Sequence, residues 1–257
     1  MLNFRNTNIV FGCLLVSLAG AYLLYGISLW ACVALFFVYS LILFYGCYYI
    51  GSNFFMRVIC AAKTDKKVIA ITFDDGPDAV HTLQILNILQ EHDVPAAFFC
   101  IGNRIAGNEA VLKQIQQHGH IIGNHSFSHH FWFDLFSSAK MLDEIRQANQ
   151  AIKQVTGLNP LLFRPPYGVI NPNLKKAIVK GGCVPVGWSV RSMDTVIKDT
   201  DKLLNKVMNR IDPGTVFLFH DTSAATISAL PMFIEQVKAQ GYQIVRLDKM
   251  LNLQAYG

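Results

Sequence analysis

The chain has 257 residues, 52% hydrophobic and 15% charged, with a formal net charge of +5. Its basic residues are scattered rather than gathered into a stripe, which excludes a nucleic-acid-binding surface. Its six cysteines include no close pair, which excludes a disulfide scaffold or a metal knuckle.

Cys13, Cys32 and Cys47 lie in apolar stretches, Cys60 at the edge of one, and Cys100 and Cys183 in strand-like runs. They read as small apolar fillers and do not fix the compartment. The mean hydropathy of +0.33 is high for a soluble domain, and the excess is local. No Asp, Glu, Lys or Arg occurs between Arg5 and Arg57. A membrane span needs roughly 20 apolar residues, so this window holds two, at about 8–27 and 31–50, with a turn near Gly26-Ile27-Ser28. The window is too long for a cleaved signal peptide; a buried helical hairpin is the alternative. The expected organisation is a membrane anchor over 1–58 and one domain over 59–257. Two spans leave both termini on one side of a cell membrane, flanked by Arg5, Arg57, Lys63, Lys66 and Lys67. That charge leans the domain toward the cytoplasm, and Lys63, Lys66 and Lys67 suit anionic lipid headgroups.

From Lys66 onward, strand and helix alternate. Strands are expected at 68–73, 95–101, 120–123, 161–163, 183–188, 215–220 and 242–246. Helices are expected at 82–90, 110–118, 138–155, 173–180, 202–211 and 227–240. The clearest is 138–155, where Met141, Leu142, Ile145, Ala148, Ile152 and Val155 share one face and Gly157 closes the helix. Repeated strand–helix units predict an α/β fold with a parallel sheet. A barrel is favoured over an open sheet because candidate site residues follow five different strands.

The chemistry starts at Thr72-Phe73-Asp74-Asp75-Gly76-Pro77, where two adjacent carboxylates end an apolar strand. Placing two like charges side by side is costly unless a cation or a proton separates their roles. Adjacent residues leave a strand end in different directions, so one Asp can face a metal and the other an attacking water. A turn pair before Gly is the plainer explanation of Asp74 and Asp75 taken alone. His125 and His129 stand four residues apart, a spacing that lets both imidazoles reach one ion. His130 is an equally polar neighbour, and His129 is preferred for its spacing. One Asp and two His make a three-ligand set with a position left for water. Arg164 follows the strand 161–163 and cannot lose its proton, so Asp74 is a suitable partner. The prolines after it stiffen the loop, so that an N–H of Tyr167 or Gly168 can face an oxyanion. His220 ends a buried strand, well placed for a general acid, and Asp194 can hydrogen-bond it and raise its pKa.

Together these stretches resemble the polysaccharide deacetylases of the NodB-homology type, carbohydrate esterase family 4. The resemblance runs from about Lys66 to Leu247 and rests on motifs in family order: Thr72-Phe73-Asp74-Asp75-Gly76, His125-Ser126-Phe127-Ser128-His129, Arg164-Pro165-Pro166-Tyr167-Gly168 and Leu218-Phe219-His220. The fourth motif, Asp-x-x-Asp-Trp, departs: Arg191 stands for its first Asp and Thr195 for its Trp, while Asp194 is kept. The resemblance implies a distorted (β/α)7 barrel. It implies a divalent metal, zinc, on Asp75, His125 and His129. It assigns Asp74 as base oriented by Arg164, Tyr167 N–H to the oxyanion, His220 as acid tuned by Asp194, and Leu218 to the pocket for the acyl methyl. The expected activity is hydrolysis of an N-acyl group, in the first place N-acetyl, on an amino sugar. The expected partners are an N-acetylated glycan or a lipid-linked saccharide, and membrane lipid. A deformylase would use the same residues. A catalytically inactive glycan-binding or envelope-assembly protein is the alternative from another class, and a metal-independent amidase is disfavoured by the histidine pair.

Overall fold

The computed structural model describes residues 2–257. Two long apolar helices come first, α1 (Phe4–Tyr25) and α2 (Trp30–Tyr48). They start and end a few residues earlier than expected. Asn3 is the cause at the first end: its side chain accepts from Asn6 N and caps the helix. Gly26, at φ 63°, closes α1 in the left-handed conformation that glycine adopts freely. The pair is held by Phe11 stacked on Tyr39 at 4.1 Å and by Tyr39 Oη donating to Asn8 Oδ1 at 2.7 Å. At 1.5 Å per residue the helices are about 33 and 28 Å long, close to the ~30 Å of a bilayer core. Their mean hydropathies are 1.9 and 2.0, and each has a single buried residue, Thr7 in α1 and Gly46 in α2.

The rest is a parallel sheet wrapped by helices. Its strands are β1 (Val68–Asp74), β2 (Ala96–Cys100), β3 (Ile121–Asn124), β4 (Leu162–Phe163), β5 (Val184–Pro185), β6 (Val190–Arg191), β7 (Val216–His220) and β8 (Gln243–Ile244). The order is β5-β4-β3-β2-β1-β7-β6, with β8 pairing the start of β1. The helices are α3 (His81–Glu91), α4 (Glu109–Gln117), α5 (Ser138–Thr156), α6 (Pro172–Gly181), α7 (Thr200–Met208), α8 (Ala224–Ala239) and α9 (Leu247–Leu251). α5 begins at the Ser137 cap and ends at Gly157, φ 74°, and it buries Met141, Leu142, Ile145, Ala148 and Ile152. The curled parallel sheet is the distorted barrel expected.

The expected strand 183–188 is shorter, and a further strand lies beyond it. β5 stops at Pro185, and β6 forms only at Val190, where it pairs β7. Between them the segment after α2 serves as a partial stave. Ile59 N donates to Pro185 O at 3.1 Å, Gly187 N donates to Ile59 O at 2.9 Å, and Ala62 N donates to Gly214 O at 2.9 Å. Ile59 bridges Val186 in parallel and Ala61 bridges Thr215 antiparallel.

One core lies between the sheet and α3, α4, α7 and α8, with Phe73, Phe98, Phe217, Phe219 and Phe233 in ring contact. A second core joins the segment after α2 to the sheet domain. Ile50, Phe54, Phe55 and Val58 are buried with Met141, Leu142 and Ile145 of α5, Leu174 and Ile178 of α6, and Phe163. Each such side chain contributes about 1.5–3 kcal/mol when fully buried. Phe4 N donates to Phe54 O at 3.0 Å, and Ile170 N donates to Cys47 O at 3.0 Å, so backbone as well as side chains tie hairpin to barrel.

Candidate active site

The carboxyl ends of β1, β3, β4 and β7 open onto one cavity of about 190 Å³. It is lined by Asp74, Asp75, His125, His129, Pro165, Tyr167, Trp188, Arg191, Thr195, Leu218 and His220. The ladder explains the convergence, since Asp74 lies opposite His220 in the β1–β7 register and Asn124 opposite Phe163 between β3 and β4. His125 and Arg164 are the next residues after those strand ends.

Asp75, His125 and His129 offer ligand atoms that all lie within 4.8 Å of one another. Asp75 Oδ1 is 3.6 Å from both His125 Nε2 and His129 Nε2. Ligands about 2.0–2.1 Å from a tetrahedral ion stand roughly 3.4 Å apart, so the set has the right span. The second shell also fits. His125 Nδ1 is 2.8 Å from Arg164 O, a carbonyl that only accepts. The ring proton is therefore on Nδ1, and the Nε2 lone pair faces Asp75. Burial, then the neighbouring His125, push His129 down to about 4, so at neutral pH its ring is uncharged with a lone pair to give. His130 is exposed and its Nδ1 accepts from Trp132 N at 3.0 Å, outside the cluster.

Asp74 is 3% exposed and divides its two oxygens. Oδ1 accepts from Arg164 Nη1 at 2.7 Å, and Oδ2 lies 3.7 Å from His125 Nε2. Arg164 is fully buried and every arm of its fork is used. Nη1 also donates to Thr72 Oγ1 at 2.7 Å, Nε to Val186 O at 3.2 Å and Nη2 to Gly187 O at 2.9 Å. Its plane lies 4.0 Å over Phe99.

On the opposite wall, His220 Nδ1 is 2.7 Å from Asp194 Oδ1, and His220 N donates to Asp194 Oδ2 at 2.7 Å. Thr226 Oγ1 donates to the same Oδ2. Burial alone would strip the proton from His220, but the hydrogen bond and charge of Asp194 outweigh it and hold its pKa above the usual 6.5. Burial alone would raise Asp194; the bonds from His220 and Thr226 outweigh it and hold the carboxyl below its usual 3.8. The His220 contribution to stability is complete below 6.5 and is lost as pH rises through the elevated folded value. The Asp194 contribution is complete above 3.8 and is lost as pH falls through the depressed folded value. Asp194→Asn is expected to remove the largest opposition to burial, leaving only the more distant charges of Asp74 and Asp75, so that His220 loses its proton at lower pH. A pH profile of kcat checks this: the alkaline limb should move down, and a limb that stays in place removes Asp194 from the tuning role.

Five non-glycine residues around the cavity have left-handed backbone: Asp75 (φ 82°), Ser126 (65°), His129 (46°), Tyr167 (60°) and Met193 (65°). Such conformations cost of order 1 kcal/mol or more each and persist where surroundings over-determine them. Some of those surroundings escape a reading by motif. Glu144, 8% exposed on the inner face of α5, accepts from Phe127 N at 3.1 Å, Ser128 N at 2.7 Å and Ser128 Oγ at 2.9 Å, holding the His125–His129 loop. Its signal in the sequence is a charge on an otherwise apolar helical stripe. Asp221 is buried, accepts from Thr82 Oγ1 at 2.6 Å and is pushed by burial up to about 7. Its carboxyl sits against Gly76, where a Cβ would come within 2.0 Å of Oδ2. Asp221 thus buttresses the turn that carries Asp75. Arg191, exposed, stands 5.9 Å from the Trp188 ring at the cavity mouth, with Thr195 beside the same cavity.

A family profile described as "Polysaccharide deacetylase" matches residues 61–186. The chain is 31% identical over 202 residues to the peptidoglycan-N-acetylglucosamine deacetylase PgdA of Listeria monocytogenes, covering 79% of this chain and 42% of that protein. It is 34% identical over 192 residues to a peptidoglycan-N-acetylglucosamine deacetylase of Bacillus cereus, covering 73% of this chain and 89% of the relative. Among solved structures, the Bc1960 peptidoglycan N-acetylglucosamine deacetylase superimposes with a TM-score of 0.73 at 30% identity, over 77% of this chain and 94% of that one. BA3943, a CE4 family pseudoenzyme from Bacillus anthracis, superimposes with a TM-score of 0.71 at 29% identity, over 76% of this chain and 69% of that one. A curled parallel α/β sheet with its polar cluster at the strand ends and this degree of similarity define the fold of carbohydrate esterase family 4. The chain belongs to the polysaccharide deacetylase family. It spans about 42% of the length of the Listeria relatives.

Proposed function

We propose that this protein is a metal-dependent hydrolase that removes an N-acyl group, in the first place N-acetyl, from an amino sugar of a polysaccharide or lipid-linked saccharide, and that α1 and α2 anchor it in a membrane. The observation that carries the reading is the meeting of Asp75, His125 and His129 within 4.8 Å on a cavity that also contains Asp74 Oδ2 and His220. The relatives, peptidoglycan-N-acetylglucosamine deacetylases, suggest the substrate class: N-acetylated amino sugars of peptidoglycan.

Asp75, His125 and His129 would hold a divalent ion, zinc by the nitrogen-rich donor set. When bound, it supplies Lewis acidity toward water and the amide carbonyl. Asp74 accepts the proton of the attacking water through Oδ2, while Arg164 Nη1 donates to Oδ1 and fixes the carboxylate's orientation. Tyr167 N–H donates to the oxyanion, and Leu218 packs against the acyl methyl. The amide C–N bond then breaks as His220 gives its proton, from the nitrogen not bonded to Asp194, to the leaving amine. The products are a free amino sugar and a carboxylate.

The purified full chain in detergent is expected to carry about one divalent ion, as a three-ligand site with an open position implies. It is expected to release acetate from small chito-oligosaccharides. His125→Ala should lose both the ion and the activity, measured by elemental analysis and acetate assay; an ion retained in that variant would place the metal elsewhere. The likeness to a pseudoenzyme, together with Arg191 and Thr195 in the cavity, favours a second reading, an inactive glycan-binding protein. A bound ion with no acyl release from any amino sugar would decide for it.

A further inference from the structure

Beside the cavity is an exposed apolar patch that the hydrolytic roles leave unused. Phe131 is 69% exposed, Trp132 55% and Leu135 69%. A row of rings links it to the site: His129 to Tyr167 at 4.7 Å, Tyr167 to Phe131 at 6.5 Å and Phe131 to Trp132 at 4.7 Å. The patch is also fastened to the end of α2. Asn171 Nδ2 donates to Asp134 O at 2.6 Å, and its neighbour Ile170 donates from its backbone to Cys47 O at 3.0 Å. Phe133, between the exposed residues, is buried in the same core as Ile50 and Phe54. Tyr48 and Tyr49, at the end of α2, are exposed as well. Lys140 Nζ lies 3.7 Å over the Phe136 ring and brings a cation to the same edge.

Large apolar side chains left in water beside a catalytic cavity ask for a partner. Their place at the end of an apolar helix of membrane-spanning length says which one, since Trp and Tyr concentrate where the acyl region meets the headgroups. We propose that Phe131, Trp132 and Leu135 insert into the lipid surface and set the cavity mouth at headgroup level. The inference rests on the reading of α1 and α2 as a membrane hairpin. It is independent of the chemistry assigned to the cavity.

The test uses the full chain reconstituted in vesicles of phosphatidylcholine and phosphatidylglycerol, with part of the phosphatidylcholine brominated high on its acyl chains. Trp30→Phe removes the tryptophan at the far end of α2, about 28 Å away along the helix. The difference between that variant and Trp30→Phe/Trp132→Phe reports Trp132. Brominated lipid is expected to lower the Trp132 signal by about twofold, as for an interfacial tryptophan, while aqueous iodide barely changes it. Quenching by iodide and not by brominated lipid would overturn the proposal. So would shielding from both, which would put a protein partner on the patch, or a chain that fails to float with the vesicles. If Trp132→Phe does not fold, Leu135→Trp in Trp30→Phe supplies a second reporter on the same loop, read against Trp30→Phe itself. Acetate release by the same vesicles is read separately, so its absence would count against the hydrolase reading alone.

Discussion

Asp74→Asn is expected to lower turnover by about 10²–10⁴-fold, the size of a lost general base, while the metal stays bound. The substitution keeps the side chain's shape. An amide oxygen can still accept from Arg164 Nη1, now 2.7 Å from Asp74 Oδ1. What disappears is the capacity of the other oxygen, 3.7 Å from His125 Nε2, to take a proton. Asp75, His125 and His129 are untouched, so elemental analysis should still find the ion. Acetate release from chito-oligosaccharide, compared at equal metal content, makes the measurement. A loss smaller than tenfold would assign the proton to another acceptor.

Arg164→Met is expected to destabilise the protein by about 3–5 kcal/mol, the cost of leaving a buried charge without its partner. For a domain of this size that corresponds to a fall in Tm of roughly 10 °C. Arg164 bonds to Thr72 and Asp74 of β1, to Val186 and Gly187 beyond β5, and stacks on Phe99 of β2, all from the end of β4. Methionine fills some of the volume but satisfies none of those oxygens and strands the Asp74 carboxylate. Two further variants separate charge from packing. Arg164→Met/Asp74→Asn should recover part of the loss, because the stranded charge is gone. Arg164→Lys should recover little, because one ammonium cannot reproduce the planar fork. Thermal unfolding of the four proteins in one detergent checks both. Equal Tm values for the single and double variants would mean that the carboxylate finds another partner.

The alternation of strand and helix was plain from apolar runs punctuated by glycine, and β1, β7 and α5 lie within a residue or so of the expected ranges. Residues at the ends of those strands could be located because each ends an apolar run abruptly in a charge or an imidazole, as at Asp74 and His220. Less visible was everything that depends on backbone. The stave at 59–61 bonds through main-chain groups, which any sequence carries. β5 and β6 are two residues each, too short for period-2 alternation to register. Support for the site was hidden for another reason. Glu144 and Asp221 act on backbone N–H groups, hydroxyls and a glycine, contacts that no spacing of residue types records, even though Asp221 directly follows His220 in the chain. The patch at Phe131, Trp132 and Leu135 is a short apolar run in the sequence, Phe131-Trp132-Phe133-Asp134-Leu135-Phe136, without helical or strand period; that Phe133 turns inward while its neighbours face out beside the end of α2 appears only in the fold.

The stave at 59–61 makes the segment after α2 more than a linker. Trimming the chain at residue 62, the natural choice for a water-soluble fragment, removes Ile59 and its two bonds to Pro185 and Gly187. It also strips Ile50, Phe54, Phe55 and Val58 from the face of α5 and α6. Such a fragment is expected to aggregate or melt early, measured by size-exclusion profile and Tm, whereas one that begins at Tyr49 keeps its wall intact. Residues 50–62 are therefore part of the barrel's own wall, and a foreign segment put in place of α1 and α2 would have to join the chain ahead of Ile50 to leave that side closed.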